Sequence, residues 1–590
     1  MVNSPPNPAL NTLVTSTASC PVGTVLLGGG FHVVGQHLPD DGDCGREPTS
    51  RHHDLDGDCE ELRHRSRVVR SPGVRGLLCL ATLLNERRLD FGAALKYLRP
   101  VTDATFAELQ SKLRDFWPTL TLRSIGDVER TVVVVHSISF DVPDQLIPVF
   151  PAYEERFLCL VLSLLRAPRS RVVYVTSQPI HPRVLDYYFG LVPDLDTPDA
   201  RGRFFTVSLV DGRNQPLSSK LLARPGALRR IRSLIGDPEL AFILPFCMTE
   251  HEVELAVRLG LPIYGCDPAL LWLGTKKGSR RVFEEEGVPH PAGLEVGGKT
   301  DLPGALREIR SRSPGARGAV LKLDKGVSGL GNALVDLEAA EHDPRAGIEL
   351  EDRELNLDEY LAALDDEGGI VEERIEGEVF RSPSVQLRMS PAGQVDIMST
   401  HDQVLGGPHG QTYLGCHFPA DQEYAERIAA ESLKVGRRLV REGVIGRAAV
   451  DYVAVNGGEG WRPYALEINL RCGGTTHPFF ALQALTDGVY DPLAGEYRTR
   501  MGAIKHYAAT DNLDSPAYQS LTPDDLLDVV AERRLGWDVE REAGVVLHMV
   551  SALAVAGRIG LTAIGDTLED ARRRYRDVKA ALDEAADSAI

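Results

Sequence analysis

Tyr464-Ala465-Leu466-Glu467-Ile468-Asn469-Leu470-Arg471 is the stretch whose reading decides the fold. Its side chains alternate with a period of two, as in a strand with one buried face. Tyr464, Leu466, Ile468 and Leu470 are expected on the apolar side, and Glu467, Asn469 and Arg471 on the other. Upstream, Val450-Asp451-Tyr452-Val453 reads as a second strand, and Asn456-Gly457-Gly458 supplies turn residues between the two. A hairpin centred on Glu459 would place Asp451 directly opposite Glu467. Two carboxylates and an amide oxygen on one sheet face make a set of hard oxygen donors suited to Mg²⁺, and an adjacent arginine can hold a phosphate that the metal bridges.

Three further segments carry chemistry. Only 11 of the 65 basic residues are lysine, so lysine where it occurs calls for a reason. Lys276 opens a helix that ends at Gly287, where it could be a phosphate ligand or a solvated helix terminus. Lys322 interrupts the apolar strand Ala319–Leu323, where an ammonium is costly to bury without an anionic partner. Immediately after it, Gly326-Val327-Ser328-Gly329-Leu330-Gly331-Asn332 is a glycine-rich loop whose amides could approach phosphate oxygens. A plain β-turn explains the glycines but not the lysine. The next stretch, Ala333–Leu337, reads as strand, so the order is strand–loop–strand and not that of a P-loop. Finally, Gly369-Ile370-Val371-Glu372-Glu373 is an apolar strand running into two carboxylates, which alone also describes an exposed acidic turn.

The wider sequence gives these segments a setting. With 590 residues the chain has length for about four domains. Its 43% hydrophobic and 25% charged composition is that of a globular protein. A net charge of −19 disfavours a nucleic-acid partner. No apolar run reaches the roughly 20 residues that a membrane helix needs, and no basic n-region precedes Arg46, so a cytoplasmic protein without a membrane partner is expected. The nine cysteines lack any CxxC pair and read as reduced, buried thiols.

Five segments are expected: a disordered or poorly packed leader over residues 1–70, a helical segment over 71–130, an α/β domain over 131–275, an α+β domain over 276–480 and a C-terminal α+β segment over 481–590. Strands at Thr131–Val135, Arg171–Thr176, Phe204–Val210, Ala241–Leu244 and Pro262–Tyr264, interleaved with helices, predict a parallel sheet. Thr249 with Glu252 forms a predicted capping box. Glu154–Leu165 is expected to be helical. No GxGxxG follows the first strand, so a dinucleotide-binding domain is not supported.

In this order, a lysine-led helix, Val-x-Lys with a glycine-rich loop, Glu-Glu, Asp and Glu-x-Asn-x-Arg resemble the ATP-grasp carboxylate–amine ligases. Ser399-Thr400-His401-Asp402-Gln403-Val404-Leu405-Gly406-Gly407, Glu467–Pro478 and Gly274–Arg280 are similar to the pheganomycin-type peptide ligases. The resemblance spans about residues 103–566. It implies an ATP-grasp fold preceded by a Rossmann-like pre-ATP-grasp domain, with ATP and Mg²⁺ as cofactors. Lys276 and Lys322 would be the nucleotide-phosphate lysines. Gly326, Ser328, Gly329, Gly331 and Asn332 would form the loop over the phosphates. Glu372, Glu373 and Ile375 would be the adenine hinge and Glu378 the ribose ligand. Asp451, Glu467 and Asn469 would bind two Mg²⁺, and Arg471 would steady an acyl phosphate, making Arg471 and Lys322 the catalytic pair.

The expected partners are a small carboxylic acid and an amine, with the N-terminus of a peptide implied as the acceptor. A homodimer is a possible assembly. A single amino acid or a thiol as acceptor, or a nucleotide-gated binding protein without turnover, are the alternatives. Cys472 is expected to be a bystander. His401 and His477 could orient substrate or act as a base, or could equally be core residues. Asp402–Phe418, with Gly406, Gly407 and Gly410, is expected to be a substrate-side lid.

Overall fold

A computed structural model describes residues 103–590, apart from 122–128, 141–148, 193–194, 298–301, 327–328, 330, 344, 353–354, 459 and 590. The expected leader and the part of the expected helical segment over residues 71–102 lie outside the described residues, as does Ser328.

The first sheet is parallel. Strands β1 (Arg130–Val135), β2 (Ser170–Thr176), β3 (Phe204–Ser208) and β4 (Ala241–Pro245) lie in the order β3-β2-β1-β4. β1 is buried along its whole length, which explains its unbroken valine run: helices cover both faces, so no polar alternation is needed. The helix Asp103–Thr121 buries Phe106, Leu109 and Leu113, as its period requires. The helix Glu250–Leu259 starts with the expected capping box, and Gly260 in the left-handed region ends it.

Three expectations need correction. Pro262–Tyr264 contributes one bridge, Ile263 to Ile243, and no strand. β3 stops at Ser208, because Val210 has a positive φ of 49° and turns the chain away. The helix expected over Glu154–Leu165 is broken into a 3₁₀ turn (Glu154–Phe157), a short α-helix (Leu158–Ser163) and a second 3₁₀ turn (Leu164–Arg166).

The remaining strands form an antiparallel platform and a smaller antiparallel sheet. β5 (Gly293–Val296), β6 (Gly318–Leu323), β7 (Asn332–Asp336), β8 (Ile348–Leu350) and β9 (Gly369–Glu373) make the smaller sheet in the order β5-β9-β6-β7-β8. The platform contains β10 (Val379–Arg381), β11 (Pro383–Met389), β12 (Val395–Gly406), β13 (Thr412–Phe418), β14 (Gly446–Asn456) and β15 (Trp461–Asn469). After a two-stranded hairpin of β16 (Val489–Asp491) and β17 (Glu496–Arg498), the platform continues with β18 (His506–Asp514), β19 (Gly544–His548) and β20 (Arg558–Gly565). Its order is β10-β14-β11-β12-β13-β18-β20-β19, with β15 on β14.

β13 pairs with β18, so this sheet crosses the boundary expected at residue 480. The helix Gln422–Glu442 packs its buried face, including Tyr424, Ile428, Val435 and Leu439, into the core beneath β11, β14 and β15. The last helix, Leu568–Ala589, buries Ala571, Val578 and Leu582 as its period predicts, and the Thr567 hydroxyl accepts from the Asp570 amide at its start.

Candidate active site

The hairpin of β14 and β15 has the expected register where it matters: Asp451 faces Glu467 and Ala449 faces Asn469. Towards the turn the register shifts by one, with Tyr452 opposite Ala465, which leaves Leu466 as the extra residue of a β-bulge. The strict alternation read from the sequence therefore fails at this point. Ala465, Ile468 and Leu470 enter the core, whereas Leu466 lines the cleft beside Glu467, Asn469 and Arg471.

The cleft has an empty volume of about 1030 Å³. Lys276 reaches it from the helix Lys276–Glu286, whose Thr275 side chain caps the Gly278 amide at 3.1 Å. Gly278 is required, because a Cβ there would lie 1.8 Å from the Trp272 carbonyl oxygen. Asp324, at the end of β6, accepts from the Lys277 amide at 2.9 Å and ties the helix N-terminus to the smaller sheet. Lys276 is buried, not a solvated terminus, and its Nζ donates to Glu467 Oε2 and to the Gly326 carbonyl. Lys322 projects from β6 into a buried ion pair with Glu372 Oε2 at 2.7 Å, and Arg280 Nη1 approaches Glu372 Oε1 at 3.3 Å. The anionic partner that a buried lysine demands is thus Glu372.

Asp451, Glu467 and Asn469 are held as one network. The Asn469 amide nitrogen donates to Asp451 Oδ2 and Glu467 Oε1, both at 3.0 Å, while Arg471 Nη1 donates to Asn469 Oδ1 at 2.6 Å. Gln403 Nε2 donates to Asp451 Oδ1 at 2.9 Å. Burial and then the Glu467 carboxylate push Asp451 above the usual carboxylate range. Burial also works against the charge on Glu467, but the Lys276 ammonium overrides it and holds Glu467 anionic. Two facing carboxylates with an adjacent amide, their mutual repulsion only partly offset by one lysine, fit a divalent cation with oxygen preference. Among the described residues no group of three or more His, Cys, Asp and Glu could hold a metal, so the Asn469 amide oxygen would be the third protein donor.

Gly329 and Asn332 join the same lining as Lys276, Lys322, Asp451, Glu467, Asn469 and Arg471. Gly326 and Gly331 lie just behind it, packed against each other. The expected hinge does not line the cleft. Glu372 is committed to its two cations, the Glu373 carboxylate accepts from the Ala292 amide at 2.9 Å, Ile375 is half-buried and Glu378 is exposed.

The Asp402–Phe418 segment is not a loose lid but two paired strands, β12 and β13. Its tip is held by buried Glu351, which accepts from the His409 amide at 3.0 Å and the Thr412 hydroxyl at 2.9 Å. His401 is fully buried against Tyr507 at 2.6 Å, and burial lowers its pKa to about 3. His477 is paired with Asp511 at 3.0 Å. Neither histidine lines the cleft. Cys472 lines it, with its thiol pushed up by burial; the five described cysteines are all buried and free.

Sequence reasoning missed part of the lining: Ser382 just before β11, Ser384 and Gln386 on β11, Gln403 on β12, and Tyr413 on β13. The polar alternation Ser382-x-Ser384-x-Gln386 between buried Pro383, Val385 and Leu387 was the available signal. Gly474 completes the wall, since a Cβ there would lie 2.6 Å from the Tyr413 ring.

Residues 356–471, which carry β9 to β15 and the metal-type network, match the family described as IQCH-like, ATP-grasp. Over this span the chain is similar to ATP-grasp proteins. Residues 525–578, which include β19 and β20, match the family described as the PGM1 C-terminal domain. An L-propargylglycine–L-glutamate ligase of Streptantibioticus cattleyicolor is 29% identical over 466 residues, covering 77% of this chain and 95% of that protein. IQ motif-containing protein H of Danio rerio is 24% identical over 389 residues, covering 56% of this chain and 36% of that longer protein. A solved ADP complex of N5-carboxyaminoimidazole ribonucleotide synthetase is 14% identical, with a TM-score of 0.44, covering 77% of this chain and 97% of that one. Among the described residues, no helix is long and apolar enough to cross a membrane.

Proposed function

We propose that this protein is an ATP-dependent carboxylate–amine ligase. The observation that carries the reading is the meeting of Lys276, Lys322, Asp451, Glu467, Asn469 and Arg471 in one cleft. A carboxylate oxygen of the acid would attack the γ-phosphorus of ATP, forming an acyl phosphate and releasing ADP. The amine would then attack the acyl carbon, forming the amide and releasing phosphate and a proton. No protein nucleophile is required, so the chain's task is positioning and charge neutralisation.

Lys276 and Lys322 would bind phosphate oxygens, which requires each to share its ammonium between the nucleotide and its present carboxylate. Arg471, next to Asn469, would steady the transferred phosphoryl group. Asp451, Glu467 and Asn469 would hold Mg²⁺, which supplies positive charge at the phosphates when bound. Gly326, Gly329, Gly331 and Asn332 would lie over the phosphates.

Two acceptors remain in play. The sequence resemblance supports the N-terminus of a peptide; the name of the Streptantibioticus relative, which joins two amino acids, supports a single amino acid. Incubation with ATP, Mg²⁺, a panel of small acids and either a tetrapeptide or its constituent amino acids, with mass detection, decides between them. ADP formation with an amide product is the expected result. Absence of ADP with every acid–amine pair would overturn the ligase reading in favour of a binding protein without turnover.

A further inference from the structure

A second pocket, with an empty volume of about 480 Å³, lies at the carboxyl ends of the parallel strands and shares no lining residue with the cleft. In open α/β sheets this end of the strands is where ligands bind. His136 directly follows β1, Ser177 follows β2, and the segment Gly212–Lys220, after β3, closes the side.

Three buried polar side chains line it: Lys220, Glu154 and His136, at 2%, 5% and 3% exposure. The Lys220 ammonium donates to the Ser177 hydroxyl at 3.0 Å, and among the described residues it makes no ion pair. Glu154 is occupied by the Ser177 amide at 2.6 Å and the Ser177 hydroxyl at 2.7 Å, and nearby Asp211 is taken by Arg213 and Arg224. Neither ring nitrogen of His136 has a hydrogen-bond partner among the described residues. Burial works against the Lys220 charge, the Glu154 and Asp211 carboxylates favour it from beyond ion-pair distance, and a ligand anion would supply a direct anionic partner. The segment carrying it is fixed in place: the Ser218 amide donates to Ser137 Oγ at 3.1 Å, and the Ser218 hydroxyl bonds the fully buried Glu252.

The opposite wall is apolar, built from Ile138, Phe150, Pro151 and Leu217. Lys220 is the buried cation of the lining, and the exposed Arg213 that also lines the pocket is committed to Asp211, so the pocket suits a monoanion. An inorganic phosphate dianion would need more donors and would meet the Glu154 carboxylate. A nucleotide would need a larger space and a phosphate loop. We propose that this pocket binds a small organic carboxylate, a short-chain acid or an aliphatic amino acid, with Lys220 as its counter-ion and the apolar wall around its chain.

The test uses the full chain without nucleotide, so its outcome is independent of the ligase reading. Calorimetric titration with pentanoate, L-norvaline and inorganic phosphate should show binding of at least one of the two acids and none of phosphate. Lys220→Met should weaken that binding by about tenfold or more, the scale of one charge-assisted bond. Gln215→Trp, which fills the rim from an exposed position, should do the same without disturbing the core. Lys322→Met should leave it unchanged. Failure of the wild-type protein to bind either acid, or wild-type affinity in Gln215→Trp, overturns the proposal.

Discussion

Replacing Lys322 by methionine tests whether the buried ion pair behaves as its geometry requires. From sequence alone, a lysine interrupting an apolar strand looks like a cost, and its removal should preserve or raise the stability of the nucleotide-free protein. The structure reverses that sign. Lys322 and Glu372 are 6% and 3% exposed and meet at 2.7 Å, so the substitution strands a buried carboxylate. Losing one partner of such a pair costs about 3–5 kcal/mol. Arg280, itself buried and 3.3 Å from the other oxygen, remains as counter-ion and sets the expected loss at the lower end, about 3 kcal/mol. Removing the carboxylate as well, in Lys322→Met with Glu372→Gln, should recover part of it, with a coupling of about 1–3 kcal/mol. Urea unfolding without nucleotide, compared by midpoints because several cores need not melt together, measures all four proteins. A Lys322→Met midpoint at or above wild type, or strictly additive single effects, would refute the reasoning.

Two other expectations follow from the same network and from the core. Glu467→Gln keeps the shape but removes a charge from the carboxylate pair, so ADP formation should fall on the order of a hundredfold while folding persists; wild-type turnover would remove Glu467 from the metal assignment. Glu155 is buried and bonded to the Ser551 amide at 3.3 Å, and burial raises its pKa from the ordinary 4.5 to about 7. Because the folded state holds this proton more tightly, the stabilisation is complete below pH 4.5 and is lost as pH rises through 7. The stability difference between wild type and Glu155→Gln should therefore shift against wild type over that window, by on the order of 1 kcal/mol per pH unit. Parallel pH profiles for the two proteins would contradict it.

What the sequence disclosed was whatever obeys a local period. The register of Asp451 against Glu467 followed from counting back across the turn, and the valine run of β1 announced a parallel strand. The capping box at Thr249 and the helix from Lys276 to Gly287 were equally visible. What escaped depends on contacts between distant segments. The bulge at Leu466 leaves no mark in the alternation. The buried partners of Glu372, Lys322 and Arg280, lie 50 and 92 positions away, beyond the reach of a local reading. The glycines of the β12–β13 hairpin suggested freedom, but Glu351, 58 residues before His409, removes it.

The continuity of the antiparallel platform has a consequence for the order in which the protein is made. β13 ends at Phe418, and its outer neighbour β18 ends at Asp514. At a synthesis rate of about 5–20 residues per second, that edge waits about 5–20 s for its partner. During the interval the nascent chain carries β12 and β13 with an open row of amides and carbonyls, the arrangement that invites pairing with another chain. The strands that line the cleft are thus among those most exposed to misassembly, and a pause in translation after Phe418 should matter more to the yield of active protein than one after Gly565, where the platform is complete.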